Sequence, residues 1–251
     1  MMKATLAVLA LSAMAAPALA QTGVYYMTAG DQKVVRMMQG GASLGTFSTA
    51  IGGNDNAYGI AVSDAVRTVG TVSGWIGGKF GLTGGYLGET YTNPGFNYIF
   101  DGTGDGTSNY LVQTGSNQVY RTLGDWSSPT LQFTTGRTYS FISYQPSNDS
   151  IWLANNAGNV DNYDMSGSYL GGFNNGQLNC GLGFDPADST LWMYAQGSGV
   201  LRQYNTSGGF LQSVSYSTAE NYIGGEFTVP APGSLALLSL GGLAAARRRR
   251  M

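Results

Sequence analysis

The sequence predicts an all-β chain, folded as a β-propeller of about five four-stranded blades, and three observations carry that prediction. No stretch between the chain ends keeps a helical apolar period. Short aromatic or alternating runs recur instead, divided by Gly, Asn and Asp turns. These runs repeat in register: Leu44, Leu87, Leu131, Leu170 and Leu211 stand 43, 44, 39 and 41 residues apart. A period of roughly 40 to 45 residues holding four strands is the mark of a propeller blade. Finally, the first unit lacks one strand type and the last has one to spare, so the two chain ends complete a single blade and close the ring. A β-sandwich or a solenoid has similar strand spacing and is the competing architecture.

Four run types make up each unit. One begins at an aromatic: Val24-Tyr25-Tyr26-Met27, Asn109-Tyr110-Leu111-Val112, Ile151-Trp152-Leu153-Ala154 and Leu191-Trp192-Met193-Tyr194, with Val66 to Val72 a weaker copy. About ten residues later comes a second, at Val34-Val35, Lys79-Phe80, Gln118 to Arg121, Asn159 to Tyr163 and Val200 to Tyr204. The leucine runs are third. A fourth, rich in small residues, starts at Tyr58, Tyr98, Tyr139, Cys180 and Tyr222. Small side chains suit the innermost strand, where neighbouring blades crowd around an axis, so Tyr98-Ile99-Phe100 is expected to be the innermost strand of its blade.

Composition narrows the function. Charged residues are 10% of the chain, far below the usual quarter. All fourteen Asp and Glu, but only seven of the twelve Lys and Arg, lie outside the terminal tags, a net charge of −7. That balance argues against nucleic acid, which needs clustered cations. There is no histidine, which removes Ser-His-Asp and Cys-His catalysis and most zinc sites. Cys180 is the one cysteine, so no internal disulfide is available; it is expected to be a small core residue. Sixteen Tyr, ten Phe and four Trp give enough apolar surface for a core, despite 39 glycines.

Candidate sites lie in the loops. The connections into the innermost strands hold Asn56 and Tyr58, Asn97 and Tyr98, Arg137 and Tyr139, Asn179, and Asn221 and Tyr222. In a propeller these loops gather on one face. Amides beside aromatic rings suit sugar hydroxyls and ring faces, while the same Asn residues also make plain turns. Asp101-Gly102-Thr103-Gly104-Asp105-Gly106 alternates oxygen ligands like the start of a calcium loop, with Asp101, Thr103 and Asp105 as ligands, but lacks the later Glu. Acids near the ends of inner runs, Asp64, Asp101 and Asp185, either cap turns or supply a carboxylate pair for glycoside cleavage, such as Asp64 with Asp185.

The two ends are tags rather than fold. Met1-Met2-Lys3 precedes an apolar run to Ala16, then Pro17-Ala18-Leu19-Ala20. Ala18 and Ala20 give the A-x-A pattern of signal peptidase, so a signal helix over 1–20 is expected to be cleaved before Gln21. Residues 21–228 form the propeller-like domain, and 229–251 form the second tag: Pro230-Ala231-Pro232, an apolar Leu/Gly/Ala piece expected to be a short membrane helix, then Arg247, Arg248, Arg249 and Arg250, which hold that end on the cytoplasmic side. This C-terminal segment resembles the PEP-CTERM sorting tag, with Ala231 where that family has Glu. The resemblance implies an exosortase-type processing enzyme as partner, and a Gram-negative-type envelope. It also implies a chain exported across the inner membrane to the cell surface or beyond, held by membrane only through the tag. Together these features predict a non-enzymatic adhesion or matrix module that binds polysaccharide and needs no cofactor. A glycan-active enzyme and a self-associating surface scaffold are the alternatives.

Overall fold

A computed structural model describes residues 23–195 and 197–228. The signal segment with Ala18 and Ala20, and the tag from Pro230 to Arg250, lie outside the described residues. Among the described residues, no helix is long and apolar enough to cross a membrane.

Among the described residues, twenty strands form five four-stranded antiparallel sheets, each one blade. Blade 1 holds β1 (Val24–Ala29), β2 (Val34–Gln39) and β3 (Ala42–Ser48). Its innermost strand is β20 (Gly224–Phe227), which pairs antiparallel with β1. The first and last described strands therefore share a blade, and the ring closes through backbone hydrogen bonds. Blade 2 runs from β4 (Gly59–Val62) through β5 (Val66–Val69) and β6 (Ile76–Phe80) to β7 (Tyr86–Thr92). Blade 3 is β8 (Gly102–Gly104), β9 (Ser108–Val112), β10 (Ser116–Leu123) and β11 (Thr130–Tyr139). Blade 4 is β12 (Phe141–Gln145), β13 (Ser150–Ala154), β14 (Asn159–Asp164) and β15 (Tyr169–Asn174). Blade 5 is β16 (Asn179–Asp185), β17 (Thr190–Ala195), β18 (Val200–Asn205) and β19 (Phe210–Ser215).

The leucine runs are the outermost strands. Leu44, Leu87, Leu131, Leu170 and Leu211 are all about half exposed. These edges share an irregularity: β3, β7, β11, β15 and β19 each carry a register shift against their neighbour, the kind of bulge that discourages edge-to-edge pairing.

Blades lock to one another through a repeated aromatic contact. Phe47 of β3 meets Phe80 of blade 2 at 6.1 Å between ring centroids. Phe133 meets Tyr163 across the next-but-one seam at 6.0 Å, and Phe173 meets Tyr204 at 5.9 Å. Each such pair is worth about 0.5–1.5 kcal/mol beyond its buried area. A turn glycine covers the ring from the far side. A Cβ on Gly84 would lie 2.7 Å from the Phe47 Cβ, and one on Gly167 equally close to Phe133, so alanine at either site would collide.

Sequence reading misplaced one strand. Tyr98-Ile99-Phe100 is not the innermost strand of blade 3; it is a connection, and Gly102-Thr103-Gly104 fills that role. β8 has no apolar side chain to announce it. Space explains the choice: a Cβ on Gly102 would stand 2.6 Å from the ring of Trp126, a fully buried residue that fills the seam.

Hydrogen bonds across the axis fix the direction of the innermost strands. The Asp101 carboxylate accepts N–H groups from four strands: Gly102 (3.0 Å), Gly225 (3.0 Å), Leu182 (3.1 Å) and Ile142 (3.3 Å). Two residues farther along, the Tyr144 N–H donates to Thr103 Oγ1, the Phe184 N–H to Ser143 Oγ, and the Phe227 N–H to Glu226 Oε1. The inner strands thus run parallel. They begin at an upper face, where the candidate loops gather, and end at a lower face of tight turns.

Candidate functional site on the upper face

The loops that feed the innermost strands bring two aromatic clusters to the upper mouth of the ring. In the first, Tyr98 packs on Phe100 at 6.2 Å, and Phe100 meets Tyr58 edge-on at 5.9 Å. Tyr98 is 59% exposed, held in a left-handed conformation at φ 55° that swings its ring outward. Tyr58 is buried, and burial with the nearby Asp31 carboxylate pushes its hydroxyl up to about 12.

In the second cluster, Tyr216 sits between Tyr222 (5.9 Å) and Tyr194 (5.6 Å). The Arg36 Nε donates to the Tyr222 hydroxyl at 2.8 Å, while its guanidinium lies 5.5 Å from the ring centroid. The same guanidinium pairs with Glu220, which also accepts from the Tyr222 hydroxyl at 3.0 Å. Burial pushes that hydroxyl to about 12 as well. Asn221 stands beside Tyr222, and its N–H donates to Gln32 Oε1 at 2.8 Å. The result is an arc of rings rimmed by a guanidinium, a carboxylate and amides. Ring edges and partly exposed faces at Tyr98, Phe100 and Tyr216 can stack on an apolar ring face, and the rim can hydrogen-bond hydroxyls.

Of the nine loop residues predicted to bind a ligand, the arc therefore contains Tyr58, Tyr98, Asn221 and Tyr222, with exposed Asn97 next to Tyr98. Asn56 sits at the arc's margin, where its backbone carbonyl accepts from Thr71. Arg137 and Tyr139 belong elsewhere. Both donate to the buried Asp161 carboxylate, at 2.9 and 2.6 Å, in a network with Tyr163 at the seam of blades 3 and 4. Asn179 is 1% exposed; it accepts from Asn175 at 2.8 Å, and its own Nδ2 meets no acceptor.

The calcium-like stretch is a strand and a turn rather than a loop. Asp101 and Thr103 are fully buried on the axis, and Asp105 caps a turn by accepting from the Thr107 and Ser108 N–H groups and the Tyr110 hydroxyl, each at 2.7 Å. Among the described residues, no three His, Cys, Asp or Glu side chains are placed to share a metal ion. The acids weighed as a catalytic pair sit in different blades. Asp64 is exposed and pairs with Arg67 at 2.8 Å, while buried Asp185 accepts from the Gly23 and Ala187 N–H groups.

Sequence reasoning missed Arg36, Phe100, Tyr194 and Tyr216 as members of the site, although Glu220 lies in one of the loops it singled out. Arg36 lies on β2, 184 residues before Glu220, and only ring closure brings them together.

No protein family matches this chain, and no curated protein does. Among solved structures the chain is similar to one in the crystal structure of a nidogen/laminin complex. The TM-score is 0.56 and the identity 13%, covering 82% of this chain and 97% of that one. At such identity the likeness is one of fold.

Proposed function

We propose that this chain is a non-enzymatic binding module, exported to the cell surface or extracellular matrix, whose upper face recognises polysaccharide. The aromatic arc carries the reading: exposed Tyr98 and half-buried Phe100 and Tyr216 stand beside Arg36, Glu220 and Asn221. Export rests on the Ala18-Leu19-Ala20 pattern and the Pro-x-Pro, apolar and Arg-rich ending. The propeller supplies a rigid ring that presents loops from all five blades on one face, a scaffold for binding rather than for any one chemistry. Separation of Asp64 from Asp185, each with its own partner, supports the non-catalytic reading over glycoside cleavage.

The test is the melting temperature of the full chain against a panel of polysaccharides, since a ligand of the native state raises it by mass action. One polysaccharide should give a rise. Tyr98→Ala should weaken that binding about three- to tenfold, the loss expected for one ring contact. A rise that Tyr98→Ala leaves intact, or no rise with any member, would count against the upper face as the site.

A further inference from the structure

The lower face carries a second candidate site, unrelated to the aromatic arc. A pocket of about 300 Å³ opens there, mostly apolar, between three blades. Its walls are Gly23, just before β1, Pro146 and Ser147 of blade 4, Phe184, Pro186 and Ala187 of blade 5, and Thr228, just after β20. The polar side chains on these walls already have partners: the Ser147 hydroxyl accepts from Gln145, and the Thr228 hydroxyl donates to the Val24 carbonyl. An apolar side chain would fit this space, and a strongly polar one would lose its hydration there.

The surroundings state what should flank that side chain. Asp149 lies two residues from Ser147, and Asp188 is next to Ala187; both are exposed. Each accepts only from neutral donors, Asp149 from the Tyr144 hydroxyl, and Asp188 from Thr190 and Gln203. The same face carries Asp64, Asp105, Asp125 and Asp164 at its turns, and its described turns contain no Lys or Arg. Of these six acids, only Asp64 has an ion-pair partner among the described residues. A negative rim around an apolar hole attracts positive charge and then desolvates what enters.

We infer that the lower face docks a cationic peptide segment, with one apolar side chain in the Pro146–Phe184–Pro186 pocket and lysine or arginine on either side facing Asp149 and Asp188. The upper-face reading is not needed for it, and Tyr98→Ala should leave it untouched.

The experiment is calorimetric titration of the full chain with capped pentapeptides. Lys-Lys-Leu-Lys-Lys should bind, and Lys-Lys-Ser-Lys-Lys should bind at least about tenfold more weakly, the effect of burying one leucine side chain. The glutamate counterpart Glu-Glu-Leu-Glu-Glu should give no heat. Ala187→Trp, an exposed turn position, should fill the pocket and abolish the leucine preference while the melting temperature stays close to that of the parent. Asp149→Asn with Asp188→Asn should weaken the lysine peptides about threefold and flatten their salt dependence. Equal affinity for the leucine and serine peptides would overturn the pocket. No binding of the leucine peptide at millimolar concentration would overturn the site, as would an Ala187→Trp protein that still prefers leucine.

Discussion

Two levels of the ring's axis are built from the same four innermost strands, β8, β12, β16 and β20, yet their buried acids live in opposite conditions. At the upper level, four backbone N–H groups from blades 1, 3, 4 and 5 converge on Asp101. Burial pushes its pKa up and those four donors oppose the rise. Donors on both oxygens leave no place for a carboxyl proton, so the geometry calls for the anion, a tie across four blades. At the lower level, Glu226 accepts from Ser143 and Phe227 through Oε1 only. Its Oε2 has no partner of good geometry, although the Thr103 hydroxyl stands near the carboxyl. Burial, and the Asp101 charge above, push the Glu226 carboxyl up, which favours its neutral form. One level is clamped by charge; the other is a neutral plug. The teaching is that burial alone does not set a carboxyl's role. The number of aligned donors does.

The sharpest way to break this comparison is Asp101→Ala, which strands four buried N–H groups. At about 1–3 kcal/mol for each, a loss of at least ~4 kcal/mol in denaturant unfolding is expected. Asp101→Asn should cost most of that, because its NH2 would face two N–H donors. Glu226→Gln should lie within about 1 kcal/mol of the parent, since it keeps the shape of the neutral acid. Equal costs for Asp101→Asn and Glu226→Gln would show that the two levels do not differ.

A smaller effect concerns Asp185 at the lower end of β16. Burial pushes its carboxyl up to about 6, from an ordinary 3.8. The native state therefore holds this proton more tightly than the unfolded chain does. The resulting stability is present at low pH and is lost as pH rises from about 4 through about 6, with no further change above. Asp185→Asn keeps an acceptor for the Gly23 and Ala187 N–H groups, and should remove this dependence from the melting curve. An unchanged pH profile would mean that Asp185 is already ionised across the window.

Much of the fold was legible because the blades repeat. Outer strands announced themselves by leucine at a near-constant interval, and ring closure followed from the spare strand at Tyr222 to Phe227. Blade 3 broke the pattern where its innermost strand became Gly-Thr-Gly, too bland to compete with the neighbouring Tyr-Ile-Phe. The site was legible by residue type but not by membership. Tyr58, Tyr98 and Tyr222 shared a loop position, and so did Tyr139, yet Tyr139 turns into the seam toward Asp161.

Sequence alone determined the strand period and the acidic balance, and pointed to about five blades with a shared closing blade, because each is written in composition or in neighbours along the chain. Tertiary structure alone decided which acid became the axial anion, which rings formed one arc, and where a pocket opened. Those depend on groups far apart in sequence, such as Asp101 and Gly225, 124 residues from one another and joined only once the ring has closed.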